Sequence, residues 1–115
     1  MGEMVYKIVR KAEWKDAERT GIFTGSPDDK RDGFIHLSSA GQVRATCDVH
    51  FAGERDLLLA AIDVDRLGPS LKWELSRKGQ KFPHLYGPLN LSDVGFVASI
   101  ETGVDGCPIF PPEIP

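Results

Sequence analysis

Two short segments carry side chains able to do chemistry at strand spacing. In Gly33-Phe34-Ile35-His36-Leu37-Ser38, alternation sends Phe34, His36 and Ser38 to one face and Ile35 and Leu37 to the other. Ile35 and Leu37 suit a core, so the His36 imidazole is expected to face an opposing space with the Ser38 hydroxyl beside it. A neutral imidazole donates one hydrogen bond and accepts another, while Ser38 can contact a ligand or help cap the next helix. The plainer alternative is a half-buried histidine bonded to backbone. In Phe82-Pro83-His84-Leu85-Tyr86-Gly87-Pro88-Leu89, each proline biases its predecessor away from helix, so Phe82 and Gly87 are expected to be extended. His84 and Tyr86 then share a face. A stiff loop presenting an imidazole and a phenol suits a ligand wall, because a tyrosine can stack on a flat ring and still offer its hydroxyl. The alternative is a structural turn. The functional expectation is that His36 and Tyr86 line a common hollow.

A third segment, Leu71-Lys72-Trp73-Glu74-Leu75, alternates as a strand. Leu71, Trp73 and Leu75 are expected to face a core, and Lys72 and Glu74 to face outward. If that outward face adjoins the histidines, Glu74 can orient a hydroxyl or stabilise positive charge; otherwise it is an exposed carboxylate, as are Asp63 and Asp65. Lys72, Arg77, Lys78 and Lys81, with Lys30 and Arg31, form a basic cluster that reads either as a solvated face or as a phosphate-binding edge. His36, His50 and His84 show no zinc-ligand spacing, although Cys47 precedes His50 by one helical turn, so no metal is expected. No glycine-rich phosphate loop or nucleophile elbow occurs.

The elements that must position these groups follow from periodicity and turn chemistry. Met4–Val9 reads as a strand rich in β-branched and aromatic residues, and Lys11–Arg19 as a short helix stopped by Thr20-Gly21. Residues 25–32 read as a polar loop and Phe34–Leu37 as a strand. Ser39 with Gln42 resembles a capping box opening a second helix through about Phe51. The continuous apolar run from Leu57 suits a strand buried on both faces. Lys78–Pro83 is expected to be a loop and Val94–Ile100 a last strand. This order implies an α+β fold: a split, mostly antiparallel sheet with two short helices.

Composition sets the outer limits. The 115 residues hold 14 Lys+Arg against 17 Asp+Glu, a formal charge of −3, with 41% hydrophobic residues. A chain of this size supports one core, so residues 1–115 are expected to form a single domain, with 102–115 a Pro-rich tail. The apolar run from Leu57 to Ile62 is far short of the roughly 20 residues a membrane span needs. The first ten residues are not those of a secretory signal, and two cysteines do not make a disulfide framework, so a cytoplasmic protein with reduced thiols is expected. The acidic balance argues against general nucleic-acid binding.

The blocks around His36, with Gln42 after it, around Trp73-Glu74 and above all the Phe82–Leu89 segment together resemble the domain-of-unknown-function 952 family, from Tyr6 to about Ser99. The resemblance implies an ADP-ribosyltransferase-like fold, a split antiparallel sheet that holds NAD, as substrate, in its central cleft. It further implies that His36 bonds the nicotinamide ribose and Tyr86 stacks on nicotinamide. The late-strand glutamate of such folds has no counterpart at the matching place, since Glu74 precedes Tyr86 and Glu101 ends the last strand. In this reading His36 and Glu74 are the catalytic residues, and Ser38, Gln42, Lys72, His84 and Tyr86 contact a small-molecule or nucleotide ligand. The alternatives are a small-molecule-binding module without catalysis and a protein-interaction domain, for which the tail around Phe110 could be a handle. Oligomeric state is left open.

Overall fold

The computed structural model describes residues 3–112 and 114. The tail residues Glu113 and Pro115 lie outside the described residues. In chain order the elements are β1 (Met4–Arg10), α1 (Lys11–Thr20), β2 (Ile22–Phe23), α2 (Pro27–Asp32), β3 (Ile35–His36), β4 (Ser38–Ser39), α3 (Val43–His50), β5 (Leu57–Asp63), β6 (Leu71–Leu75), β7 (Lys81–Leu85), β8 (Leu89–Asn90), β9 (Val94–Thr102) and β10 (Pro108–Ile109). The fold is α+β with few helices, and all strand pairs among the described residues are antiparallel. A five-stranded sheet has the order β10-β9-β5-β1-β4, a three-stranded sheet the order β3-β7-β6, and β2 pairs with β8.

The apolar run from Leu57 becomes β5, flanked by β1 and β9. Leu59 and Ala61 pack on one side with Tyr6, Ile8 and Val43. Ala60 and Ile62 pack on the other with Val5, Val9 and Trp14. With both faces covered the strand has no polar side, which is why its residues do not alternate. In the tail, Phe110 packs against the first of these clusters and β10 pairs with β9.

The segment from β3 to β4 creates the cleft. Ile35 and His36 pair with Leu85 and His84 in the three-stranded sheet, whereas Ser38 and Ser39 pair with Tyr6 and Val5 in the five-stranded one. Leu37, whose N–H donates to the Pro83 carbonyl at 3.0 Å, is the step between them. One strand-like stretch therefore serves two sheets, and the space where they part lies beside His36 and Ser38.

Four expectations are corrected. Residues 25–32 are not all loop: Pro27 opens α2 with its φ already helical, and Gly33, at φ 85°, closes it. This makes three α-helices among the described residues rather than two. The second expected helix starts at Val43 instead of near Ser39, because the Gln42 side chain accepts from the Ser39 N–H at 3.1 Å and holds 39–42 as a turn. Lys81–Pro83 is strand β7 and not loop; Pro83 lacks an N–H, but only its carbonyl is asked for, by Leu37. Finally, Trp73 and Leu75 are exposed and Glu74 is half-buried. Strand β6 is a sheet edge that leaves the core after Leu71.

Candidate functional site

A cavity of about 380 Å³ opens where the two sheets part, within the range of small-molecule sites. His36, Ser38 and His84 line it, with Lys7, Asp29 and Arg77 among the other walls. At its base is a buried charge cluster. The Lys7 ammonium lies 3.0 Å from Asp29 Oδ2 and 3.1 Å from Oδ1, and these side chains are 7% and 1% exposed. His36 Nδ1 is 2.6 Å from Asp29 Oδ1. The same carboxylate accepts from the His36 backbone N–H at 3.0 Å and from the Ser26 backbone N–H at 2.9 Å.

Local structure sets up the contacts among Ser26, Asp29 and His36. Asp29 sits in the first turn of α2, where its side chain reaches back to the Ser26 N–H, the reciprocal arm of a capping box. Gly33 adopts the left-handed conformation, and the Asp29 carbonyl accepts from both Gly33 N–H, at 2.8 Å, and Phe34 N–H, at 3.2 Å. That tight reversal brings β3 back past Asp29, so that His36, seven residues on, meets its carboxylate. Burial alone would push the Asp29 carboxyl up. The His36 hydrogen bond, the Lys7 charge and the backbone N–H groups outweigh it and hold the group far below the usual carboxylate range.

The other ring nitrogen of His36, Nε2, lies 2.9 Å from Asp32 Oδ2. Asp32 is held below its ordinary value, first by a hydrogen bond from Arg31. Each nitrogen of His36 thus faces a carboxylate, and only the doubly protonated ring can donate to both at once. His36 is held in a defined orientation by Asp29 and lines the cavity with its Nε2 facing Asp32, so a ligand hydroxyl would reach that nitrogen only by displacing the carboxylate.

His84, 5% exposed, also lines the cavity. Its ring stacks on Phe34 with centroids 4.0 Å apart, and its Nδ1 lies 2.7 Å from Glu74 Oε1. The Tyr86 hydroxyl donates to that same oxygen at 2.6 Å. These bonds, Tyr86's first and then His84's, hold the Glu74 carboxyl below its ordinary value, and the bond to Glu74 raises the Tyr86 phenol.

Of the residues singled out in the sequence, His36, Ser38 and His84 meet at the cavity, and Glu74, Tyr86, Gln42 and Lys72 do not line it. The expected shared hollow of His36 and Tyr86 is therefore corrected. Tyr86 is 40% exposed and turned onto Glu74, and Phe34 packs against Tyr86, His36 and His84 alike. Glu74 reaches the cavity only through His84. The Gln42 amide is spent on backbone, donating to the Lys81 carbonyl at 2.8 Å. Of the basic cluster, Arg77 and Arg31 line the cavity and Lys72, Lys78, Lys81 and Lys30 do not. Sequence reasoning missed Lys7, Asp29, Asp32 and Thr46. Two signals existed: a lysine at a core-facing position of an otherwise apolar strand, and Ser26-x-x-Asp29 before a glycine. Among the described residues no three His, Cys, Asp or Glu side chains gather into a group that could hold a metal ion. No helix among them is long and apolar enough to cross a membrane.

Fold and cavity together define an α+β protein of antiparallel sheets that part around a pocket built on a buried Lys–Asp–His cluster. Residues 8–97 match the family described as Protein of unknown function (DUF952), and the chain belongs to that family. It is similar to protein CC0527 from Caulobacter crescentus. The X-ray structure of CC0527 is 46% identical, with 91% of this chain and 92% of that one covered and a TM-score of 0.87. Its solution NMR structure is 46% identical, with 91% and 90% covered and a TM-score of 0.82. No curated protein matches the chain.

Proposed function

We propose that the cavity binds a nucleotide of the NAD or ADP-ribose type and that the fold is ADP-ribosyltransferase-like. The observation that carries this reading is the Asp29-held imidazole of His36 at a cavity of about 380 Å³ set between two antiparallel sheets. His36 would bond a ribose hydroxyl, and Ser38 and His84 would add polar contacts. The aromatic rings that line the cavity are Tyr6, Phe51 and Phe82 rather than Tyr86, with the Arg10 guanidinium over Phe51 and that of Arg77 over Phe82.

The position of Glu74 favours binding without turnover. Cleaving the glycosidic bond of NAD develops oxocarbenium charge that a carboxylate in the cavity must face. Glu74 is committed to His84 and Tyr86 outside the lining, and Asp29 to Lys7 and His36. Asp28 and Asp32 are the more accessible acids at the pocket, with side chains 63% and 34% exposed, and one of them would have to serve if catalysis occurs.

Calorimetry with millimolar NAD and ADP-ribose tests the reading, with His36→Ala expected to abolish the heat of binding. No heat with the wild-type protein overturns it. Prolonged incubation with NAD followed by mass spectrometry separates the two modes: released nicotinamide means an enzyme, and unchanged NAD means a binding module.

A further inference from the structure

We infer that the cavity contains a phosphate-binding corner built by Arg77, with Thr46, Ser38 and His50 beside it. The inference rests on the nucleotide reading above for the identity of the whole ligand, but the corner has its own geometry.

Four lysine and arginine side chains line the cavity, and three of them are neutralised locally. Lys7 pairs with Asp29. Arg10 grips Glu54 with Nε at 2.8 Å and Nη2 at 2.9 Å. Arg31 pairs with Asp28 and Asp32. Arg77 alone makes no ion pair among the described residues. It is nevertheless well held: its guanidinium lies over the Phe82 ring, 5.0 Å from the centroid, and Nη2 donates to Thr46 Oγ1 at 3.2 Å. A guanidinium carries five N–H donors in a planar fork. One goes to Thr46, and the others find no protein acceptor among the described residues. A cation fixed by stacking and one hydrogen bond, with donors to spare and no carboxylate, is pre-organised for an incoming oxyanion.

Its surroundings favour phosphate. The Ser38 and Thr46 hydroxyls are 2.9 Å apart, and both line the cavity. His50, at the end of α3, lines the same space, and burial first, then the Arg77 charge, disfavour its protonation. Thr46 Oγ1 donates to the Gln42 carbonyl at 3.1 Å and so serves to hold Arg77, leaving the free arms of the fork to engage a tetrahedral oxyanion, with Ser38 and His50 beside it.

The test titrates the full chain and its Arg77→Gln, Arg77→Lys and Thr46→Val variants with ADP-ribose, adenosine and inorganic pyrophosphate. Calorimetry gives affinity, ³¹P line broadening detects pyrophosphate directly, and thermal melting confirms folding. Arg77→Gln is expected to weaken ADP-ribose roughly 10- to 100-fold, the usual size for a lost charged hydrogen bond, without altering adenosine binding. Arg77→Lys should recover part of the loss, and Thr46→Val should show a smaller one. If ADP-ribose binds Arg77→Gln within twofold of wild type, the corner is refuted while the nucleotide reading stands. If ADP-ribose does not bind but pyrophosphate does, and only with Arg77 present, the corner stands and the nucleotide reading falls. If neither binds the wild-type protein, both fall.

Discussion

Asp29 and His36 are joined twice through a single oxygen: Oδ1 faces the ring Nδ1 at 2.6 Å and the backbone N–H of the same histidine at 3.0 Å. The double contact fixes both the strand and the side chain relative to α2. The ring cannot turn without breaking one bond, and the strand cannot slide without breaking the other. Lys7, from β1, completes the arrangement by neutralising the carboxylate from a third element.

Removing that carboxylate is expected to be costly. Asp29→Asn leaves the buried Lys7 ammonium without its counter-charge, and breaking one side of a buried pair typically costs about 3–5 kcal/mol. Urea unfolding at neutral pH measures the loss, and a change below about 1 kcal/mol would show that Lys7 finds another partner or water.

The same group imposes a pH dependence. The Asp29 carboxyl is lowered in the folded state, so the unfolded chain binds the proton more readily. Its contribution to stability is fully present above the ordinary carboxylate value of about 3.9 and is shed as pH falls toward the lowered native value. An acid series of unfolding curves should therefore be steeper for wild type than for Asp29→Asn. Parallel curves would mean that this carboxyl does not govern acid unfolding.

Tyr86 and Glu74 form a spectroscopic pair. The phenol is raised by its hydrogen bond to Glu74, so Glu74→Gln should bring Tyr86 back toward the ordinary value of about 10. Tyrosinate absorbance, with Tyr86→Phe to separate the signal from buried Tyr6, follows the change. An unaltered titration in Glu74→Gln would place the phenol elsewhere in solution.

Gly33 ends α2 at φ 85°, and an added Cβ would meet nothing within 4 Å. The penalty for Gly33→Ala is then conformational alone, about 1–2 kcal/mol for an L-residue in the left-handed region. Gly33→Asn should cost less, because asparagine tolerates that conformation. Equal losses in the two variants would point to packing instead of backbone strain.

Cys47 is buried and Cys107 exposed. A thiol-specific reagent at neutral pH is expected to modify Cys107 in the folded protein and Cys47 only on unfolding, since burial raises the Cys47 thiol and shields it. Prompt reaction of both would show that α3 opens readily.

Much of the fold was legible because periodicity is a local property. The apolar run of β5 had to be covered on both sides, and alternation placed Ile35 and Leu37 in the core with His36 on the other side. The same rule failed for Trp73 and Leu75, since alternation says which residues share a face and not whether that face is covered. It misjudged residues 25–32 because a helix of one and a half turns has no apolar stripe, and its formation depends on Pro27, Asp29 and Gly33 at its ends.

By itself the sequence determined the antiparallel α+β pattern, the central buried strand and the side on which His36, Ser38 and His84 would lie, all consequences of residue order along single strands. Only the tertiary structure decided which charges meet. Lys7 finds Asp29 across 22 positions and Arg77 finds Thr46 across 31. The same folding sends Tyr86 to Glu74 at 2.6 Å and leaves it off the cavity lining. The reason is physical: side-chain direction is set by near neighbours in the chain, whereas neutralisation of a buried charge is set by distance through space, which the packing of separate elements alone establishes.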